Sequence, residues 1–256
     1  MSGFAVDWTP PWLAPYRARG ERVQALLDAG LPCCEALDAA GDAPVRFVPQ
    51  DALPQGRAYE AHIFATRTVP TRHNLHDFFN GLVWLHFPRA KQRLNKLQAA
   101  VIARDGIGAA RGPLRDALTL IDENGAILEA PPGLWRALIA RDWQSLFVTQ
   151  RASWRDARLL VFGHALLEKL ASPRKAATAH VLMAPGEIPS IPADDDRVAA
   201  VLEAAHLSGK PFASLPVLGV PGWCVQNENF SFYDDSDVFR RRRVAESSPT
   251  PQGPVA

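Results

Sequence analysis

The sequence predicts an α+β fold that is predominantly helical, with a small antiparallel β element that includes a hairpin near residues 116–129. Most apolar segments repeat with helical spacing and are bounded by Pro, Gly, Asp or Asn. The apolar fraction of 47% is sufficient for a buried core. Because no long linker interrupts these segments, we expect one globular domain over residues 1–246 and a disordered, Pro-rich tail over residues 247–256.

The N-terminal part of the chain is predicted to hold one helix and two extended segments. A helical pattern covers residues 17–28 and ends before Gly30. Residues 45–48 alternate in polarity up to Pro49, which predicts a short strand. Residues 59–68 form the second extended candidate.

Two consecutive helices are predicted next. Asn74 is a suitable N-cap, with Asp77 three positions later, and the apolar pattern continues to about His86. Pro88 then fits the first position of another helix that runs to about Arg104.

The hairpin is predicted from two short apolar runs, residues 116–121 and 126–129. They flank a turn that ends in Asn124-Gly125, where a positive φ costs little. The rest of the chain is predicted to be helical at about residues 132–140, 142–149, 153–170 and 194–207.

Charge and composition exclude several classes of protein. Lys and Arg total 28 against 27 for Asp and Glu, a balance that disfavours a nucleic-acid binder. No apolar run approaches the roughly 18–20 residues that cross a bilayer, and the N-terminus lacks a secretory signal pattern. We therefore expect a cytoplasmic protein without a membrane partner. The three cysteines, two of them adjacent, do not suggest a disulfide framework.

The strongest candidate site lies at the start of the helix that Asn74 caps. His76 is in its first turn, with Asn80 and Trp84 on the same stripe. A neutral imidazole there can act as a general base or metal ligand. Asp77 can serve as a second catalytic or metal-ligating group, or only as a capping residue. Asn80 and Trp84 are assigned to substrate binding, where Asn80 would orient rather than react.

A second candidate pair is His164 and Glu168. Their i, i+4 spacing on a predicted helix places both side chains on one face, where they can share a metal ion. Alternatively, Glu168 only fixes the His164 ring, or it is solvated.

Further charged residues complete the list of candidates. Asp116 could be the carboxylate that completes a His/Asp cluster, or it could pair with Arg115. Arg72 precedes the cap of the key helix and could bind a carboxylate or phosphate. We assign Asp116 to the catalytic group and both arginines to substrate binding.

Several blocks of the sequence resemble DUF3025, a family of uncharacterised bacterial proteins. The resemblance spans roughly residues 59–240 and implies no activity, since the family has none assigned. His73 is not part of the family's pattern, and Cys224 stands where an aromatic residue is common. The blocks that carry the resemblance are residues 69–72, 74, 76–80, 84, 87–88, 91, 95, 115–120, 122–125, 162–168, 219–223, 227, 232–235 and 238–240.

Two functions remain open at this stage. One is a His/Asp-centred hydrolase that uses a divalent metal ion and acts on a small anionic substrate. The other is a non-catalytic binding or scaffold protein whose polar blocks form a structural hydrogen-bond network. The Walker, GxGxxG, GxSxG and HExxH motifs are absent, which disfavours the nucleotide-binding, serine-hydrolase and zincin classes that carry them.

Overall fold

The computed structural model describes residues 4–106 and 112–241, and the predicted tail at residues 247–256 lies outside this part. The described helices are α1 (Arg17–Asp28), α2 (Cys33–Ala39), α3 (Tyr59–Thr66), α4 (Leu75–His86), α5 (Pro88–Asp105), α6 (Pro113–Asn124), α7 (Pro132–Ala140), α8 (His164–Leu170), α9 (Asp195–Val201) and α10 (Ala204–Ser208). None of these is both long and apolar enough to cross a membrane.

Two small sheets accompany the helices. Strands β1 (Arg46–Pro49) and β2 (Thr68–Thr71) form a parallel pair. The second sheet has the order β4-β3-β5-β6 and is formed by β3 (Gly125–Glu129), β4 (Arg158–Val161), β5 (Thr178–Leu182) and β6 (Phe212–Pro216). Strand β3 runs antiparallel to β4 and parallel to β5, and β5 runs antiparallel to β6. The predicted α+β class, mainly helical with an antiparallel element, is confirmed.

The predicted hairpin near residues 116–129 is wrong. Its first half belongs to α6, and only its second half is a strand, whose antiparallel partner is β4. Gly125 has φ −72° and ψ 151°, so Asn124-Gly125 does not form the positive-φ turn that the prediction required. Pro113 at the first helical position and the burial of Ala117, Leu118 and Ile121 along one face favour the helix.

Two other predicted elements also differ. The extended segment at residues 59–68 is mostly helix α3, and the predicted helix at residues 153–170 contains strand β4. Leu159, Leu160 and Val161 form an unbroken apolar run with all three side chains buried. Such a run suits a strand covered on both faces, and periodicity alone does not separate it from a buried helix.

Helix α4 begins and ends where the sequence predicts. Asn74 is extended, with φ −147° and ψ 165°, and its side-chain oxygen accepts a 2.8 Å hydrogen bond from the Asp77 backbone N–H. Every residue from Asp77 to Leu85 is buried, so α4 is a central helix of the core. Pro88 opens α5 directly after it.

Gly163 allows α8 to begin against the end of α6. A Cβ atom at this position would lie 2.5 Å from the Asn124 nitrogen and 2.5 Å from the Glu123 carbonyl carbon and oxygen. The Gly163 N–H donates a 2.8 Å hydrogen bond to Gly125 O. This close backbone approach places His164, the first residue of α8, beside the last residues of α6.

Gly163→Ala should therefore lower the free energy of unfolding by about 1–3 kcal/mol, because backbone atoms must move to admit a methyl group. Urea denaturation of the purified variant measures this loss. Gly41→Ala is the matched control, since its added methyl would meet only Leu85 Cδ2 at 3.5 Å. Equal stability of the two variants would show that the α6–α8 approach is not tight.

Candidate metal site

His76 and His164 meet although 88 positions separate them in the chain. Their Nε2 atoms are 3.0 Å apart, and the rings cross at 75° with centroids 4.5 Å apart. His76 is in the first turn of α4 and His164 is the first residue of α8. The packing of α4 against α8 thus brings together the two imidazoles that the sequence nominated separately.

Glu123, near the end of α6, completes a three-residue group. Its Oε2 lies 3.6 Å from His164 Nε2. One ligand atom from each of His76, Glu123 and His164 can be chosen so that all three lie within 4.8 Å of one another. Within the described part of the chain, this group could hold a metal ion.

Two further carboxylates lie near the Nδ1 atoms of the two histidine rings. Glu168 Oε2 is 2.9 Å from His76 Nδ1, and Asp122 Oδ1 is 3.8 Å from His164 Nδ1. A carboxylate beside Nδ1 favours the tautomer that carries its proton there. Glu168 orients the His76 ring in this way, as carboxylates orient histidine ligands, whereas the longer distance from Asp122 to His164 Nδ1 is a charge contact and not a hydrogen bond.

Burial keeps His164 neutral. Loss of solvation lowers its pKa to about 4; the negative charge of Asp122 opposes this shift, whereas Lys91 and His76 reinforce it. Burial and the nearby Asp122 charge raise the pKa of Glu123 above its usual value. A histidine must be neutral to ligate a metal, so His164 is already in the binding form at neutral pH.

The site is open on one side. The His164 side chain is 6% exposed, whereas those of His76, Glu123 and Glu168 are 31%, 34% and 39% exposed. His164 therefore forms the base of the site and the other three side chains form its rim. A small molecule could reach the ligand atoms from solvent.

The distances suit a tetrahedral ion. Nitrogen ligands bind zinc at roughly 2.0–2.1 Å, so two of them in tetrahedral geometry are about 3.3 Å apart. The observed separations of 3.0 Å and 3.6 Å from His164 Nε2 lie on either side of that value. Two of the three ligand separations therefore suit a tetrahedral divalent ion, and one ligand atom from each residue lies within 4.8 Å of the others.

Asp77, nominated as a catalytic and metal-ligating residue, is used elsewhere. Its Oδ2 accepts hydrogen bonds from Arg72 N at 2.6 Å and Arg72 Nε at 3.0 Å, and its Oδ1 accepts one from Arg72 Nη2 at 3.0 Å. Asp77 is 6% exposed. Both oxygens thus serve the turn before α4, and Asp77 does not belong to the His76 group.

Asn80 and Trp84, nominated for substrate binding, contact Lys91 instead. Lys91 Nζ donates a 3.0 Å hydrogen bond to Asn80 Oδ1 and lies 5.4 Å from the centre of the Trp84 ring. Asn80 Nδ2 also lies 3.4 Å from the Tyr59 hydroxyl. Both residues are buried on the α4 stripe below His76, where they support Lys91.

Lys91 and Asp122 form a buried ion pair behind the site. Lys91 Nζ donates to Asp122 Oδ1 at 2.5 Å, and the two residues are 4% and 6% exposed. Burial alone would raise the pKa of Asp122, but Lys91, together with His164, outweighs burial and lowers it. Asp122 is therefore a carboxylate, fixed by Lys91 on one side and facing His164 Nδ1 on the other.

Asp116 and Arg115 lie near the start of α6, away from this group. Asp116 is seven residues before Glu123, a rise of about 10 Å along a helix. Its Oδ2 accepts a 3.1 Å hydrogen bond from Lys210 Nζ. Asp116 is thus not brought to His76, and within the described residues Arg115 forms no ion pair with the site.

Glu123 is the ligand candidate that the sequence analysis missed. The hairpin prediction placed it in a turn, where acidic residues need no special explanation. Leu114, Leu118 and Ile121 repeat at helical spacing after Pro113, and this signal would have placed Glu123 on a helix.

Comparison with known families agrees with the resemblance seen in the sequence. The model of the family described as "Protein of unknown function (DUF3025)" matches residues 45–243, most of the chain.

The chain belongs to the DUF3025 family.

All the residues of the candidate metal site in this DUF3025 protein lie within the matched region. No curated protein and no solved structure matches the chain.

Asp77→Ala should lower the free energy of unfolding by about 1–3 kcal/mol, because it removes the partner of the Arg72 guanidinium and of the turn. Binding of added Zn²⁺ should be unchanged. Urea denaturation and calorimetric titration measure the two effects, with the exposed Asp51→Ala as control. Loss of zinc affinity in Asp77→Ala alone would return Asp77 to the metal site.

Lys91→Met should lower the free energy of unfolding by about 3–5 kcal/mol, more than Asp77→Ala does, since it leaves the Asp122 charge buried and unpaired. Without Lys91, burial raises the folded-state pKa of Asp122, so the variant should recover stability relative to wild type as pH falls. Denaturation midpoints at several pH values test this. The double variant Lys91→Met/Asp122→Asn should lose less stability than Lys91→Met alone. A larger loss in the double variant would contradict the ion-pair account.

Proposed function

We propose that this DUF3025 protein is a metal-dependent hydrolase that acts on a small anionic molecule, with its centre at His76, Glu123 and His164. The observation that carries the proposal is the convergence of two imidazole nitrogens and one carboxylate oxygen within 4.8 Å at a half-exposed site. The 3.0 Å separation of the two Nε2 atoms is also that of a hydrogen bond, so the response to added metal decides between metal ligation and a structural contact.

The donor set favours catalytic rather than structural metal binding. Two histidines and one glutamate leave a coordination position open, as in catalytic zinc sites, whereas structural zinc sites use four protein ligands. A divalent metal held there would lower the pKa of a bound water and polarise a carbonyl or phosphoryl oxygen. The same donor set also suits Fe²⁺, so the identity of the metal is part of the test.

The surrounding residues would hold the ligands in place. Glu168 fixes the His76 ring through Nδ1, and Asp122, itself held by Lys91, lies against His164 Nδ1. Such partners typically change metal affinity 10–100-fold, roughly, when they are removed. They act through the histidines and are positioning residues.

Two cations near the rim support an anionic substrate. The Arg72 side chain is 58% exposed, and its charge interacts with that of Glu168. Lys169 follows Glu168, donates a 2.9 Å hydrogen bond to Asn124 Oδ1 and interacts with the charge of Glu123. Arg72 and Lys169 could therefore attract and orient a carboxylate or phosphate near the open side of the site.

The buried Lys91–Asp122–Asn80 contacts favour one second candidate, a non-catalytic protein in which the same residues only stabilise the core. In that case the His76–Glu168 contact would be a structural link between α4 and α8. The two functions differ in their response to metal and to loss of His76.

Purified wild-type protein should bind close to one equivalent of Zn²⁺, Mn²⁺ or Fe²⁺ and melt at a higher temperature when that metal is added. His164→Ala should abolish both effects, and Glu168→Gln should weaken binding about 10–100-fold. Plasma mass spectrometry and thermal-shift assays measure these outcomes. His206→Ala is the control, because His206 lies on α10 outside the metal group.

The metal-loaded protein should hydrolyse small phosphate or carboxylate esters, and His76→Ala should lose this activity. That result would support the hydrolase proposal. If no metal raises the melting temperature and His76→Ala lowers the free energy of unfolding by about 1–3 kcal/mol, the hydrolase proposal is rejected and the structural network is supported.

A further inference from the structure

A cleft lies beside β6 and includes none of the metal-site residues. Its volume is about 630 Å³, within the range of ligand sites. Its apolar lining includes Leu138, Ile139, Met183 and Phe212, of which Ile139 is 45% exposed. No acidic side chain lines it among the described residues.

Three arginines border this cleft: Arg141, Arg240 and Arg241. All three are exposed, and none forms an ion pair with the described part of the chain. Asp142, the acid next to Arg141, gives its carboxylate to the N–H and hydroxyl of Ser145. Arg240 Nε donates a 2.9 Å hydrogen bond to the Asp237 carbonyl, and Arg241 interacts with the charge of Asp142, but neither contact is an ion pair. Three guanidinium groups at a cleft with no acidic lining residue favour an anion, above all a phosphate.

The backbone at Arg141 adds a second observation. Arg141 ends α7 in the left-handed conformation, with φ 54° and ψ 35°. Glycine takes this position at low cost, whereas a residue with a Cβ atom is strained there. The chain thus carries a guanidinium at the rim in a place where glycine would be more stable.

The open edge of β6 supplies hydrogen-bonding groups. Met183 N bonds to Pro211 O and Val217 N to Ala177 O, each at 2.9 Å, and hydrogen-bonded pairs alternate along an antiparallel ladder. Ser214 therefore falls in a non-bonded pair, so its N–H and C=O point away from β5. Because β6 is the last strand of its sheet, these groups form an adjacent donor and acceptor at the cleft.

We propose that this cleft binds a small organic phosphate of the nucleotide class. The phosphate would contact the arginines, and a planar heterocycle would lie against Phe212 and Ile139. The donor–acceptor edge of the heterocycle would pair with the Ser214 N–H and C=O, as the exocyclic amine and ring nitrogen of adenine can do. The cleft shares no residue with the metal site, so this inference is independent of the proposed function.

Calorimetric titration of the full-length protein with adenosine 5′-monophosphate tests the proposal. We expect a Kd below about 1 mM. Adenosine and inorganic phosphate should each bind at least about tenfold more weakly, and Arg141→Ala and Arg241→Ala should each weaken the nucleotide about tenfold. Arg57→Ala, an exposed arginine outside the cleft, should change nothing.

Ser214 offers a sharper pair of variants. Ser214→Pro removes an N–H that faces away from β5, a change that an edge strand tolerates, and it should abolish nucleotide binding. Ser214→Ala keeps the N–H and should bind normally. No binding of the nucleotide, equal binding of inorganic phosphate, or affinities unchanged in the arginine variants would overturn the proposal; if Ser214→Pro does not fold, the arginine variants decide.

Discussion

The buried ion pair between Lys91 and Asp122 is the constraint on which the rest of the site depends. It joins α5 to α6, Asn80 adds α4 through the same ammonium group, and Asp122 faces His164 at the start of α8. Neither charge could remain buried alone, because an unpaired buried charge is strongly destabilising. Helices α5 and α6 must therefore keep the relative position that pairs Lys91 with Asp122. The geometry of the two histidines is therefore tied to a polar cluster in the core.

A third acid shows how the cluster distributes its charge. Burial and the Asp122 charge raise the pKa of Glu60 to about 7, and Lys91 opposes that rise. Asn95 donates a 2.6 Å hydrogen bond to the Glu60 carboxyl group. A single lysine thus stabilises one buried negative charge, on Asp122, while Glu60 is partly protonated near neutral pH. The charge stays on the carboxylate that faces His164, 3.8 Å from its Nδ1.

Local sequence signals were sufficient for some elements. Asn74 and Pro88 act on residues next to them, so the bounds of α4 and the start of α5 could be predicted from the sequence. The hairpin prediction failed because Asn124-Gly125 suits either a tight turn or the end of a helix. The choice depends on β3 pairing with β4 and β5, strands that come later in the chain.

The site was predictable by residue type and not by arrangement. His76 and His164 could be nominated because an imidazole on an apolar helix has few structural reasons to be there, and Glu168 because it lies one turn after His164. Their convergence depends on α4 packing against α8, a contact between distant segments that periodicity does not encode. Glu123 was not nominated because the wrong hairpin prediction placed it in a turn. Asp77 was nominated although its capping role already accounts for an acidic residue at that position.

The positions of these side chains on their helices determine what the site can bind. His76 and His164 are at the starts of α4 and α8, where unpaired N–H groups carry partial positive charge and resist a cation. Glu123, Glu168 and Asp122 surround the imidazoles and offset that charge. A cation at this site would therefore meet the charge of the surrounding carboxylates against the opposing partial charge of the two helix ends.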